Sequence, residues 1–238
     1  MQDRLIRFGR YVRRNPMLGY GFALLFFLLA LWVAARLYVS PEMANPISVK
    51  HLQRPSIEFP LGTDPQGRDI LAVMVVGVPL TLKIGIFAAA FGTILGTTLA
   101  FLAGYYSGLI DTIIRVTVDT LQTVPGLMIL IVIALAIGSG GLTVNQMALV
   151  VGLFAWVGPT RTIRSQVLTM RERTYVQIAR LSGMSGIKII FLELVPNIMP
   201  LIVAQFVLGV AAGILASIGL AALGLGPFDT NTMGMTIY

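Results

Sequence analysis

Apolar residues run nearly unbroken over positions 17–39, 80–105, 116–137, 142–157 and 198–225, and the stretches between them are polar and punctuated by proline and glycine. A helix of about 20 apolar residues crosses about 30 Å of hydrocarbon, and only helices and closed barrels satisfy every backbone group there. The pattern therefore predicts five membrane-spanning helices, the fourth being the shortest. Arg36 interrupts the first run close enough to its end for the guanidinium to reach the headgroups. A cleaved leader has an apolar region of about 7–15 residues followed by small residues. The first run is longer and closes on Arg36-Leu37-Tyr38, so a retained helix is expected. The chain divides accordingly into an N-terminal segment 1–16, a first span 17–39, an outer segment 40–79 and a core 80–238, which carries a polar stretch at 158–197.

Composition agrees with a protein whose solvent is the bilayer: 56% of residues are hydrophobic, 11% are charged, and mean hydropathy is +0.87. The chain has no cysteine, which excludes disulfides and thiolate metal sites. Its one histidine, His51, has no second histidine or cysteine to complete a metal site, so it is expected as a solvated loop residue. The positions of lysine and arginine set the orientation, because cytoplasmic loops retain them. Arg4, Arg7, Arg10, Arg13, Arg14, Arg115, Arg161, Arg164, Arg171, Arg173, Arg180 and Lys188 fall on one side, against Lys50, Arg54 and Arg68 on the other. The N-terminus is thus expected in the cytoplasm. Within 1–16, Arg4, Arg7 and Arg14 share one helical side while Leu5, Phe8 and Val12 lie nearer the other, as in a helix lying at the cytoplasmic interface. Each basic residue near anionic lipid contributes about 1 kcal/mol; simple topology-setting charge is the alternative. The net charge of +7 does not point to nucleic acid, since the basic residues flank spans rather than forming a soluble basic domain.

Candidate chemistry is sparse. Asp111, Arg115 and Asp119 recur at four-residue intervals and share a helix face. Asp119 lies about a turn inside an apolar run, where an ionisable group is by default a functional-site candidate; a salt bridge to Arg115 or Arg161 is the structural alternative. Gly92 with Gly96, and Gly209 with Gly213, are small-residue pairs that let helix backbones approach. With Gly85 and Gly219 they place these spans against other helices. Asp64-Pro65 is a helix-start signal, and Asp69 is expected to cap the helix after it. The segment 171–200, RERTYVQIARLSGMSGIKIIFLELVPNIMP, is basic and glycine-broken between two apolar runs. It predicts a helix over 175–182, a turn at Gly183 and a second helix over 187–194, stopped by Pro196. Glu193 should pair with Lys188 or Arg180, or stay in water. There is no Gly-x-x-x-x-Gly-Lys-Ser/Thr loop and no nucleophile–base pair, so the chain is not expected to be an enzyme, and ATP would be bound by another chain.

The segment 171–200 resembles the Glu-Ala-Ala loop of ABC importer permeases, with Gln177-Ile178-Ala179 at the tripeptide, Gly183 at the fixed glycine and Val195-Pro196 at the Leu-Pro pair. Tyr175-Val176 and Pro196-Asn197 sharpen the likeness to the dipeptide, oligopeptide and nickel branch, in its "C"-type subunit. LGTDPQGRDIL at 61–71, GYYSGLID at 104–111 and AALGLG at 221–226 resemble further family segments in the same order. The resemblance implies an all-α membrane protein of the type I ABC importer permease fold, with about five of an expected six transmembrane helices visible. Residues 227–238 resemble the approach to the last span, so a terminal helix is expected to be missing. It implies that Tyr175, Val176, Gln177, Ala179, Arg180, Gly183, Met184, Ile187, Lys188, Pro196 and Asn197 couple to an ATPase. Asp119, Gln122 and Gln205 are the pathway candidates, and Gly62, Asp64, Arg68 and Asp69 the candidates for contact with an external binding protein. Gln177 departs from the family's usual glutamate, and Glu193 from its isoleucine. The implied partners are a homologous "B"-type permease, two cytoplasmic ATPase subunits that hold ATP and Mg, an external substrate-binding protein and membrane lipid, with no nucleic acid. The implied setting is the inner membrane of a prokaryote and the implied cargo di- or oligopeptides. Nickel or oligosaccharide import, an ion-coupled transporter and a non-transporting scaffold are the alternatives.

Overall fold

A computed structural model describes residues 14–137 and 142–226. Among these, every regular element is a helix. The expected interfacial helix over 1–16 and the approach to a last span at 227–238 lie outside the described residues, apart from positions 14–16. The chain forms two compact units, 1–76 and 77–238.

In the first unit, α1 (Pro16–Tyr38) begins with proline at its first turn, where the missing N–H costs nothing, and ends with Arg36 in its last turn, beside the negative end of the helix dipole. Its 23 residues span about 34 Å. None is buried, so its apolar surface is left for lipid or another chain. A 3₁₀ turn (Pro41–Ala44) and an irregular outer segment lead to α2 (Ile70–Phe101), which continues through a wide turn, Leu102–Tyr106. Val39, Ala44, Ala72 and Val73 make a small apolar cluster under the outer segment. Pro79 inside α2 has no N–H to offer the carbonyl four residues earlier. That carbonyl, on Val75, accepts instead from the Trp32 indole at 3.0 Å.

The second unit holds the rest of α2 and α3 (Gly108–Thr123), α4 (Gly126–Ile137), α5 (Val144–Ala155), α6 (Val157–Met170), α7 (Thr174–Leu181), α8 (Gly186–Ile189) and α9 (Val195–Leu220). One apolar core gathers Ile84 and Ala88 of α2, Leu130 and Ala134 of α4, Met147 and Val150 of α5, and Leu220 of α9. A second joins Ala100 and Phe101 to Ile163 and Val167 of α6, Val176 and Ala179 of α7, and Ile189, Leu194 and Ile198. The paired glycines sit where helices touch. A Cβ on Gly213 would stand 3.2 Å from the Gly85 Cα, and one on Gly92 only 2.5 Å from the Ala155 Cβ.

The spans differ from the expected five. Among the described residues, three helical stretches, 16–38, 70–106 and 186–225, are long and apolar enough to cross a membrane, or four if α3 and α4 count as one. The expected span 116–137 is bent by 89° between α3 and α4. Pro125 supplies no amide there and drives Val124 into extended backbone (φ −91°, ψ 132°). The expected span 142–157 is α5, opened by a Thr143–Gln146 capping box. Its 12 residues reach only about 18 Å before the helix is interrupted at Trp156, ahead of the more polar α6.

Candidate coupling elbow and transmembrane cavity

The segment after α6 folds as a helical elbow whose corner is fixed by backbone hydrogen bonds. At the end of α7 the Met184 N–H donates to the Ala179 carbonyl and the Gly183 N–H to the Arg180 carbonyl, each at 3.1 Å. This is the Schellman arrangement, which needs a left-handed residue at its corner. Gly183 supplies it with φ +78°. Val176 and Ala179 face inward onto α6, and Tyr175 and Met184 pack beside them. Outward stand Gln177, Lys188, Ile178 at 58% exposure and Leu181 at 88%. Gln177 donates to the Glu172 carbonyl at 3.1 Å, and the Arg180 guanidinium lies 5.6 Å from the centre of the Tyr105 ring. Ile187, Pro196 and Asn197 are exposed, Asn197 donating to the Glu193 carbonyl at 2.6 Å. Among the described residues Glu193 forms no ion pair with Lys188 or Arg180; it sits half-exposed at the wide turn 190–194.

Three arginines tie α6 to α3 and to the turn before it. Arg161 donates to the Gln122 carboxamide oxygen. Arg164 grips Asp111 with two donors, Nη2 to Oδ2 at 2.7 Å and Nε to Oδ1. Arg171 donates to the Gly104 carbonyl at 2.9 Å and to the Ser107 hydroxyl. The ladder runs from the middle of the bundle to the start of the elbow. Asp111, although it shares a face of α3 with Arg115, pairs across helices with Arg164. The planar guanidinium fork on a neighbouring helix meets both carboxylate oxygens at once. Asp119, among the described residues, is in no ion pair. It faces a small cleft of about 220 Å³ with Arg115, Thr160, Arg161 and Arg164.

Gln122 and Gln205, distant in sequence, line one cavity of about 660 Å³ among α3, α4, α5, α6 and α9. Asp119 is not on its wall, so the three pathway candidates separate into a cavity pair and a cleft residue. The Pro125 break opens this space, because a helix that turns aside leaves room beside Gly126 and Leu127.

The outer-segment candidates are buried: Asp64 is 8% exposed, Arg68 4% and Asp69 1%, with Gly62 enclosed beside them. Asp64 Oδ1 accepts from the Gln66 and Arg68 amides at 2.9 Å, and Oδ2 from Arg68 Nε at 2.6 Å. Asp64-Pro65 therefore closes a turn and does not start a helix. Asp69 does cap α2, accepting from the Leu71 amide at 3.0 Å. Burial pushes its carboxyl pKa up from the ordinary value, against the pull of the Leu71 and Ala72 amides. Gly62 has φ +77°, and a Cβ there would lie 2.6 Å from the Gln53 carbonyl oxygen. These four residues hold the segment together and leave Pro65 and Gln66 to face outward.

The family model described as "Binding-protein-dependent transport system inner membrane component" matches residues 84–237, which carry the ladder, the cavity and the elbow. The chain belongs to this family. Among curated relatives, this inner membrane component is 32% identical over 217 residues to a dipeptide transport system permease protein, DppC, of Alkalihalophilus pseudofirmus, covering 91% of this chain and 70% of the relative. It is 32% identical over 220 residues to a glutathione transport system permease protein, GsiD, of Pectobacterium atrosepticum, covering 91% and 71%. It is 31% identical over 202 residues to an oligopeptide transport system permease protein, OppC, of Lactococcus lactis subsp. cremoris, covering 84% and 65%. It is a multi-pass membrane protein of the transport class. Arg161, Arg164 and Arg171 were not among the residues expected to act in it. The spacing of Arg161, Arg164 and Arg171 on one side of α6 was the available signal, but their partners lie on another helix.

Proposed function

We propose that this inner membrane component is one of two permease subunits of an ATP-driven importer of di- or oligopeptides. It stands with its N-terminus in the cytoplasm of a prokaryote and forms half of the translocation path. A homologous permease forms the other half, an external binding protein delivers the peptide, and two cytoplasmic ATPase subunits hold ATP and Mg. This chain performs no chemistry on either nucleotide or cargo. The observation that carries the reading is the elbow: its inner face is fixed to α6 through Val176 and Ala179, while its outer face offers the apolar Ile178 and Leu181 beside Gln177 and Lys188. A movement imposed on that outer face reaches the cavity through α6 and its arginines. The peptide cargo is supported by the dipeptide, glutathione and oligopeptide transport named for the relatives. The test is reconstitution of the two permeases, two ATPase subunits and binding protein in liposomes with labelled dipeptide and oligopeptide. Uptake should require both the loaded binding protein and ATP on the elbow side. Uptake driven by an imposed ion gradient without ATP would overturn it in favour of an ion-coupled transporter.

A further inference from the structure

The wall of the 660 Å³ cavity is made of glycine, alanine, proline and large apolar side chains, broken by two polar side chains, the carboxamides of Gln122 and Gln205. None of its lining residues is ionisable. The charged groups of α3 and α6, Arg115, Asp119, Arg161 and Arg164, line the separate cleft. An apolar wall of this kind disfavours an ionised group, whose desolvation it cannot offset, and accepts a neutral one whose polar atoms find partners.

The two carboxamides are not equivalent. Arg161 hydrogen-bonds Gln122, and a guanidinium has donors only. The oxygen of Gln122 must therefore turn to Arg161, which leaves the NH₂ group free to point into the cavity as an oriented donor. Gln205 is half-buried on α9 and, among the described residues, its carboxamide has no hydrogen-bond partner, so both its donor and its acceptor are free. One fixed donor and one adaptable donor–acceptor in an uncharged apolar pocket match the repeating C=O and N–H of a peptide backbone.

We propose that this cavity is a subsite for the uncharged backbone of the transported peptide. Gln122 donates to a backbone carbonyl, Gln205 accepts from a backbone N–H, and Arg161 is a positioning residue that fixes which end of Gln122 faces the cargo. The proposal rests on the peptide-import reading above. It makes recognition by this chain independent of cargo side chains, while the charged termini lie outside the cavity.

The test uses the assembled transporter in liposomes, with the binding protein saturated by each of two probes. One is labelled tetra-alanine, the other its counterpart with the central amide replaced by an ester, which lacks one N–H. Wild type should take up the amide faster than the ester. Q205L should lower amide uptake about tenfold, the size of one hydrogen bond, and take up both probes alike. Q122E is nearly isosteric and keeps the pairing with Arg161 but shows the cavity an oxygen, so it should lose uptake comparably. R161E, which offers an acceptor and turns Gln122 around, should behave as Q122E does, while R161K should keep most uptake. Assembled Q205L and Q122E transporters that move both probes at wild-type rates, with the amide still preferred, would overturn the subsite. A wild-type complex that hydrolyses ATP but takes up neither probe would overturn the peptide-import reading, and the subsite with it.

Discussion

Gly183 is the residue on which the elbow turns, and its environment separates two causes of intolerance. Nothing lies within 4 Å of where a Cβ would stand, so a side chain meets no clash, only the cost of φ +78°. For an L-residue that cost is about 1–2 kcal/mol. Gly183→Ala is expected to loosen the corner by about that amount, seen as faster trypsin cleavage at Arg180, and Gly183→Asn, which tolerates the left-handed region, should recover much of it. Asp69 carries the opposite kind of constraint, a charge held where burial disfavours it. Its pKa is raised on folding, so the folded state gains most when the carboxyl is protonated, and stability declines as pH rises through the folded value. Asp69→Asn keeps an acceptor for the Leu71 amide and removes that dependence. Thermolysin digestion of the outer segment at neutral pH should be slower in the variant than in wild type, while in acid, where Asp69 is protonated, pepsin should digest the two alike.

At the scale of elements, the bend between α3 and α4 has a local cause that can be removed. Pro125→Ala restores the amide and frees Val124 to take helical backbone. The two helices are then expected to straighten, lengthening the distance between spin labels at positions 116 and 132; an unchanged distance would assign the bend to packing. This element also marks the limit of the sequence pattern. The stretches 16–38 and 198–225 were readable because lipid rewards uninterrupted apolar surface, and the corner of the elbow because Gly183 breaks it. Pro196, expected to stop the second helix, instead sits in the first turn of α9, where its missing amide costs nothing, and the helical stretch 186–225 runs through it. The break was written in Val124-Pro125, yet the apolar run continues across it and periodicity alone carries no sign of a turn. The short α5 was likewise hidden, since Trp156-Val157 extends its apolar run past the point where the helix is interrupted. At the site, the grouping of Gln122 with Gln205 and the grip of Arg164 on Asp111 depend on which helices pack together, which no local pattern encodes.

For the whole molecule the decisive surface is the outer face of α7, because there the folded chain leaves apolar side chains that its own core does not use. Leu181 is 88% exposed and Ile178 58%, while Val176 on the inner face is fully buried. A substitution on the outer face should therefore leave folding nearly untouched, within about 0.5 kcal/mol, and act on association alone. Leu181→Glu places a charge where a partner would have to desolvate it, a larger penalty than loss of the contact itself. The variant is expected to insert and melt as wild type does but to lose the ATPase subunits on co-purification. Val176→Glu should instead unfold the elbow. If Leu181→Glu retained its ATPases and their stimulation by loaded binding protein, the partner would have to dock elsewhere, and the ladder of Arg161, Arg164 and Arg171 would be left as a brace within the bundle with no motion to transmit.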